Sequence, residues 1–184
     1  QQRRWISGLR ADRWQAWDKR SPMAAVSAGQ KRQEWLGSAF MRLEQDFSHA
    51  DAKGQWYIGS GYTERAPDYW ELLGTGKQSA SSNSAFGTRS EKTWQLDAGM
   101  QAQYGWGGLH LAAFANRVRD YILIDGDRTD IRFGKTPLGM MGGALPQVVR
   151  NVQSRSLGLE AGVDYRFSPQ WQGEASLAWV RARN

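Results

Sequence analysis

Cysteine is absent from this chain, and that absence removes disulfide frameworks, thiolate metal sites and cysteine nucleophiles together. No run of 18 apolar residues exists, so no helix is available to span a bilayer. The mean hydropathy of -0.65 would be wrong for a helical membrane protein. It is compatible with a transmembrane barrel, because half of each strand then faces a polar lumen and the loops are wet. Histidine occurs only as His49 and His110, neither with a partner at metal-site spacing, and no Gly-rich phosphate loop is present. The chain therefore carries no enzyme signature. Its net charge of +6 comes from basic residues scattered among acidic ones, without a run of five or six, so nucleic acid is not an expected partner. The chain begins Gln1-Gln2-Arg3-Arg4 without Met or a signal peptide, and reads as a processed or truncated piece.

What the sequence does contain is aromatic residues and alternation. Ten Trp and a 40% hydrophobic content argue against disorder. From Trp94 to Trp106, apolar residues (Trp94, Leu96, Ala98, Met100, Ala102, Tyr104, Trp106) alternate with polar ones or Gly. A second such run begins at Leu157, where Leu157, Leu159, Ala161, Val163, Tyr165 and Phe167 oppose Gly158, Glu160, Gly162, Asp164 and Arg166. Side chains of a strand alternate between faces, so each run is a strand with one oily and one wet side. Ordinary strands have about 5–6 residues, whereas a tilted bilayer-spanning strand needs roughly 9–11. These runs are long enough to span, and the first is bounded by Trp, as aromatic girdles at both interfaces require.

Taken in order, the chain predicts seven strands. The first covers Trp5 to Trp17 and the second Gln33 to Phe47, with Phe40 as an apolar exception on the wet face. Ser48 to Gly54 is expected to be a turn, Gln55 to Arg65 the third strand, and Ala66 to Ser90 a loop. The fourth strand turns through Gly105-Trp106-Gly107-Gly108 into the fifth, Leu109 to Ile124. Alternation in the fifth changes parity, which predicts a bulge near Ala113. Asp125 to Val149 is a second long loop. The sixth strand then reverses at Ser168-Pro169-Gln170 into the seventh, which carries Trp171, Gly173, Ala175, Leu177 and Trp179 on one face. All five prolines lie in connections, as strand ladders require.

The connections alternate long and short, the layout of an outer-membrane barrel with short periplasmic turns and longer extracellular loops. A soluble antiparallel sandwich or propeller is the alternative for the same apolar faces. The predicted fold class is all-β: an antiparallel meander forming part of a transmembrane β-barrel. Seven strands ending at Asn184 do not close a barrel, and open edges in lipid would leave backbone groups unsatisfied. Residues 1–184 are thus expected to be a partial barrel domain, with outer-membrane lipid as a partner. On the lipid face, Leu159→Arg is expected to block assembly, whereas Gly158→Arg is expected to be tolerated if the lumen has room.

The segment Gly61-Tyr62-Thr63-Glu64-Arg65-Ala66-Pro67-Asp68-Tyr69-Trp70-Glu71-Leu72-Leu73 resembles the strand-to-loop segment of TonB-dependent outer-membrane receptors. Its Pro-Asp-Tyr-Trp-Glu-Leu wording is most similar to the copper receptors among them. Phe114-Ala115-Asn116-Arg117-Val118-Arg119-Asp120-Tyr121-Ile122 and Asn151 through Gly162 resemble that family's following hairpins. The resemblance spans about Gln55 to Asn184. It implies a barrel of about 22 strands filled by an N-terminal plug, residence in a bacterial outer membrane, and uptake of a scarce metal energised through TonB. Plug and TonB box are not in this chain. A ferric-siderophore receptor of the same superfamily, a passive porin and a soluble all-β binding module remain open.

Two sets of candidate site residues follow. Met140 and Met141, between Gly139 and Gly142-Gly143, offer soft thioethers suited to Cu(I) in a backbone free to bend; apolar filler is the plainer role for Met in a loop. Tyr69, Trp70, Arg128 and Arg132 are candidate contacts for an anionic chelate. No resident cofactor is expected; copper would be cargo. The wet faces carry Arg10, Asp12, Arg42, Glu44, Asp46, Asp97, Glu160, Asp164, Arg166 and Glu174, which would form a mixed-charge lumen wall able to bond a plug. Arg65-Ala66-Pro67-Asp68 reads as structural: Pro67 holds Ala66 extended and fits the second position of a turn closing the strand.

Overall fold

The computed structural model describes residues 2–22, 27–73, 84–125 and 148–184. Seven strands alternate with connections: β1 (Arg3–Trp17), β2 (Lys31–His49), β3 (Ala52–Arg65), β4 (Glu91–Tyr104), β5 (Gly107–Asp125), β6 (Val148–Arg166) and β7 (Gln172–Arg183), with a short helix α1 (Tyr69–Leu73) after β3. They form one antiparallel sheet in the order β1-β2-β3-β4-β5-β6-β7. Every neighbour in space is thus a neighbour in sequence. No second sheet packs on it among the described residues, which removes the sandwich reading.

Register sorts the side chains as the alternation demanded. One row runs Trp5, Leu43, Ile58, Ala98, Ala113, Leu159 and Trp179 through successive pairings. Those residues share the oily face, and large apolar side chains there stand in the open: Leu9 is 90% exposed and Leu177 73%. Among the described residues no second layer covers them, as is expected of strands whose oily side faces lipid. On β4 this face runs from Trp94 to Tyr104. Ten residue-to-residue steps at about 3.3 Å each, tilted near 40°, give about 25 Å of height, the thickness of a barrel's apolar band. Aromatics close both borders. Trp94 packs on Tyr62 at 4.8 Å between centroids. At the short-turn end, Tyr104, Trp106, Tyr165 and Phe167 form a continuous ladder with spacings of 4.9, 5.5 and 4.9 Å.

The opposite face carries all ten charged residues expected there, and many pair. Arg4 lies 2.9 Å from Glu44 and Arg10 2.7 Å from Asp12. Arg42 Nε is 2.9 Å from Glu44 without hydrogen-bond alignment, and its guanidinium lies over the Tyr57 ring at 3.8 Å.

Aromatic residues on this inward face have a local cause that alternation alone hides. Phe40 lies over Gly8, where an added Cβ would sit 2.4 Å from the ring, and Phe114 covers Gly158 in the same way. His110 covers Gly162 and Tyr57 covers Gly99. In each case a ring fills the space above a glycine directly across the ladder, restoring packing that the glycine lacks. Tolerance of Gly158→Arg therefore depends on the Phe114 ring moving aside, since an added Cβ would meet it at 2.4 Å.

Several boundaries are corrected. The reversal between β2 and β3 is only Ala50-Asp51, since His49 pairs with Ala52; Ala50 takes the left-handed conformation, φ 48°. His49 accordingly ends a strand rather than sitting in a turn. No bulge occurs at Ala113, which pairs in unbroken register with Ala98 and Leu159. The parity change there reflects Phe114 covering Gly158. The irregularity falls instead between Val118 and Tyr121, where Asp120 is left-handed at φ 57°, and two residues of β5 oppose one of β6.

Candidate functional site

The long connections and the short turns lie at opposite ends of the strands, and the described parts of the long connections are anchored by charge. After β3 the chain does not remain irregular as expected. Asp68 accepts a bond from the Glu71 N–H at 2.8 Å, and Glu71 accepts one from the Asp68 N–H at 2.8 Å. This reciprocal capping box satisfies two backbone donors at the start of α1. Pro67 consequently leads into a helix instead of closing a turn. The signal was present in the sequence as Asp68-x-x-Glu71.

Arg65 locks that helix to the sheet. Its guanidinium donates to both Glu71 oxygens at 2.9 and 3.0 Å and to Glu91 at 2.7 Å. Glu71 and Glu91 are each buried to 8% exposure. The second Glu91 oxygen accepts the Ile122 N–H at 2.8 Å, so β3, α1, β4 and β5 meet at one pair of carboxylates. Neither carboxylate role was anticipated from spacing: Glu91 is brought to Arg65 by strand pairing, and Glu71 by the turn into α1.

The return of the same connection is held by a second arginine. Arg32 donates to the Phe86 and Thr88 carbonyls and pairs with Glu34, while Ser90 donates to Glu34. Ala85 packs with Ile122 and Val149 in a small apolar cluster. Asn151 bonds both the N–H and the carbonyl of Arg89 and the Asp120 carbonyl, and Arg89 pairs with Asp120 at 2.6 Å. The β5 irregularity thereby becomes an attachment point.

Upon this anchored base Tyr69 and Trp70 are 62% and 71% exposed, their rings in edge contact at 5.2 Å and 84°. They are the two candidate ligand contacts that the structure brings together. Arg128, Arg132, Met140 and Met141 lie outside the described residues. Among the described residues no three His, Cys, Asp or Glu are grouped to hold a metal ion.

The first long connection is stapled differently. Asp18 is wholly buried and accepts bonds from Arg20 at 2.8 and 2.9 Å and from the Ser27 hydroxyl at 2.7 Å. The Arg20 guanidinium, with Ser27 and the Arg20 N–H, holds the Asp18 carboxyl far below the usual carboxylate range despite its burial. A depressed folded-state value stabilises this loop fully above the unfolded value near 3.9, and that contribution is lost as pH falls through the folded value. Hydrogen exchange of the Gly29 N–H, which bonds the Asp18 carbonyl at 2.8 Å, should therefore be flat from pH 7 to about pH 5 after correction for intrinsic rates. It should accelerate below about pH 4. Asp18→Asn should accelerate it at neutral pH and flatten the acid dependence.

Comparison with known proteins places this geometry among relatives. A family model described as TonB dependent receptor-like, beta-barrel matches residues 4–184. The solved structure of the copper transporter OprC is similar at 34% identity and a TM-score of 0.83, over 99% of this chain. The present chain spans 26% of that protein's length. No curated protein sequence matches.

Proposed function

The chain belongs to the TonB-dependent receptor β-barrel family, and from that premise we propose that it forms part of a bacterial outer-membrane receptor that takes up copper. The observation carrying this reading is the likeness to the copper transporter OprC along 99% of the chain. The oily face between two aromatic borders supports residence in the outer membrane, and the mixed-charge inner face suits a wall against which a plug can hydrogen-bond. Strands β1 and β7 each pair on one side only among the described residues. In lipid such edges require further strands, which on this reading lie outside the 184 residues, together with the plug and the segment that engages TonB. The protein is a transporter rather than an enzyme on the same reading.

Copper enters as cargo. Met140 and Met141 supply thioethers of the softness Cu(I) prefers, in the connection between β5 and β6. Tyr69 and Trp70, exposed on an anchored helix, favour a second cargo, an anionic metal chelate held by these rings with Arg128 and Arg132.

Uptake separates these readings. A strain lacking the full-length receptor should lose copper accumulation at low external copper, and removal of TonB should have the same effect. Replacing Met140 and Met141 together by Leu keeps size and apolarity but removes the sulfur. It should weaken Cu(I) binding by about tenfold or more if the thioethers are ligands. Unchanged binding would remove the pair from the site and leave the receptor reading intact. Normal copper uptake with lost growth on a ferric siderophore would remove copper itself, and uptake persisting without TonB would point to a porin.

A further inference from the structure

Ile122 belongs to two networks at once. Its N–H donates to a carboxylate oxygen of Glu91 at 2.8 Å, and its side chain, buried to 5% exposure, packs with Ala85 and Val149. That N–H is available to Glu91 because the β4–β5 ladder ends at Lys92–Arg119, after which β5 turns through the left-handed Asp120. A carboxylate thus stands where a strand partner would otherwise be.

The other Glu91 oxygen accepts from Arg65 Nε at 2.7 Å, and the remaining guanidinium nitrogens of Arg65 hold Glu71 of α1. An unbroken chain of bonds therefore runs from the capping box of α1 through Glu71, Arg65 and Glu91 to the irregularity in β5. A second route joins the same ends. Arg89, in the return of the connection that carries α1, is bonded by Asn151 and paired with Asp120, and Ala85 of that return packs on Ile122. Each link also leans on the next. Glu91 is 8% exposed, so without Arg65 its carboxylate loses the countercharge that offsets desolvation and has to turn to water. Turning to water takes it away from the Ile122 N–H.

We propose that α1, residues 84–90 and the β5 irregularity form one cooperative unit, which opens and closes as a whole rather than anchor by anchor. The unit links the two long connections, whichever cargo is carried. A ligand held by Tyr69 and Trp70 that favours the closed unit also steadies the base from which the β5–β6 connection departs, and the same coupling acts in reverse.

Residue-resolved hydrogen exchange on the full-length receptor in nanodiscs tests this at two amides remote in sequence. One is the Leu72 N–H, bonded within α1 to the Asp68 carbonyl at 3.1 Å; the other is the Ile122 N–H. Asp68→Ala removes a cap whose bonds lie within the first turn of α1, and Asn151→Ala removes side-chain bonds to Arg89 and Asp120 only. In a single unit each substitution should accelerate both amides by the same factor, about tenfold for loss of the cap. The Gly29 N–H of the first connection should keep its rate. Acceleration of Leu72 alone by Asp68→Ala, or of Ile122 alone by Asn151→Ala, overturns the unit, because the anchors then release separately. So do unchanged rates in both variants, or an equal acceleration of Gly29, which would show a general loosening. Heat-modifiable gel migration checks that each variant is a folded barrel; if Asn151→Ala does not fold, the response of Ile122 to Asp68→Ala decides by itself.

Discussion

Leu159→Arg is expected to abolish assembly of the barrel. Leu159 lies midway between the aromatic borders, in a row with Ile58, Ala98, Ala113 and Trp179, and is itself 56% exposed on the oily face. An arginine at the bilayer midplane costs about 2–4 kcal/mol on a barrel's lipid face. At 1.4 kcal/mol per tenfold, the folded-to-unfolded ratio should fall roughly 30- to 700-fold. The readout is heat-modifiable migration after refolding of the full-length protein into lipid vesicles. The matched control is Glu160→Arg, one residue away on the exposed inward face, which should change stability by no more than about 0.5 kcal/mol. Gly158 cannot serve as that control, because Phe114 occupies the space its side chain would need. Equal tolerance of arginine at Leu159 and Glu160 would count against a bilayer around this sheet.

Arg65→Ala should release the connection between β3 and β4 without preventing barrel formation. Removing the guanidinium leaves Glu71 and Glu91, both largely buried, without the partner that offsets their desolvation. Arg65 itself is half exposed, with 45% of its side chain accessible, so water recovers part of the loss. An opening penalty reduced by about 1.5–3 kcal/mol is expected, from loss of hydrogen bonds to charged groups. Proteolysis within residues 66–90 of the membrane-embedded protein should then accelerate about 10- to 150-fold. Arg65→Lys should recover less than half of the protection, since an ammonium cannot span both carboxylates with paired bonds. Unaltered cleavage in Arg65→Ala would show that Arg32 and Asn151 hold the connection by themselves.

Strand periodicity was readable because each residue's face depends only on its own position in the alternation. Trp94 to Tyr104 and Leu157 to Phe167 therefore declared their oily sides without knowledge of any partner strand. The two apparent violations, Phe40 and Phe114, were legible only in part. Each is explained by a glycine on another strand, Gly8 and Gly158, and nothing local to Phe114 distinguishes glycine cover from a bulge. For the same reason the expected irregularity at Ala113 was misplaced; the real one, at Arg119-Asp120, is defined by β6 having one residue fewer. The helix α1 belongs to a different class. Its Asp68-x-x-Glu71 box was in plain view, but one five-residue helix is too short to show an apolar period.

The sequence by itself determined the all-β class, the seven strands, the meander with alternating short and long reversals, and which face of each strand is oily, because all of these follow from local alternation and turn chemistry. Only the tertiary structure decided which charges meet. Arg65 found Glu91 across β3 and β4, Arg32 found the carbonyls of Phe86 and Thr88, and Arg117, Arg155 and Arg183 fell into one row. Those relations depend on register, the pairing of residues remote in sequence, and a slip of a single residue would have turned each side chain to the opposite face.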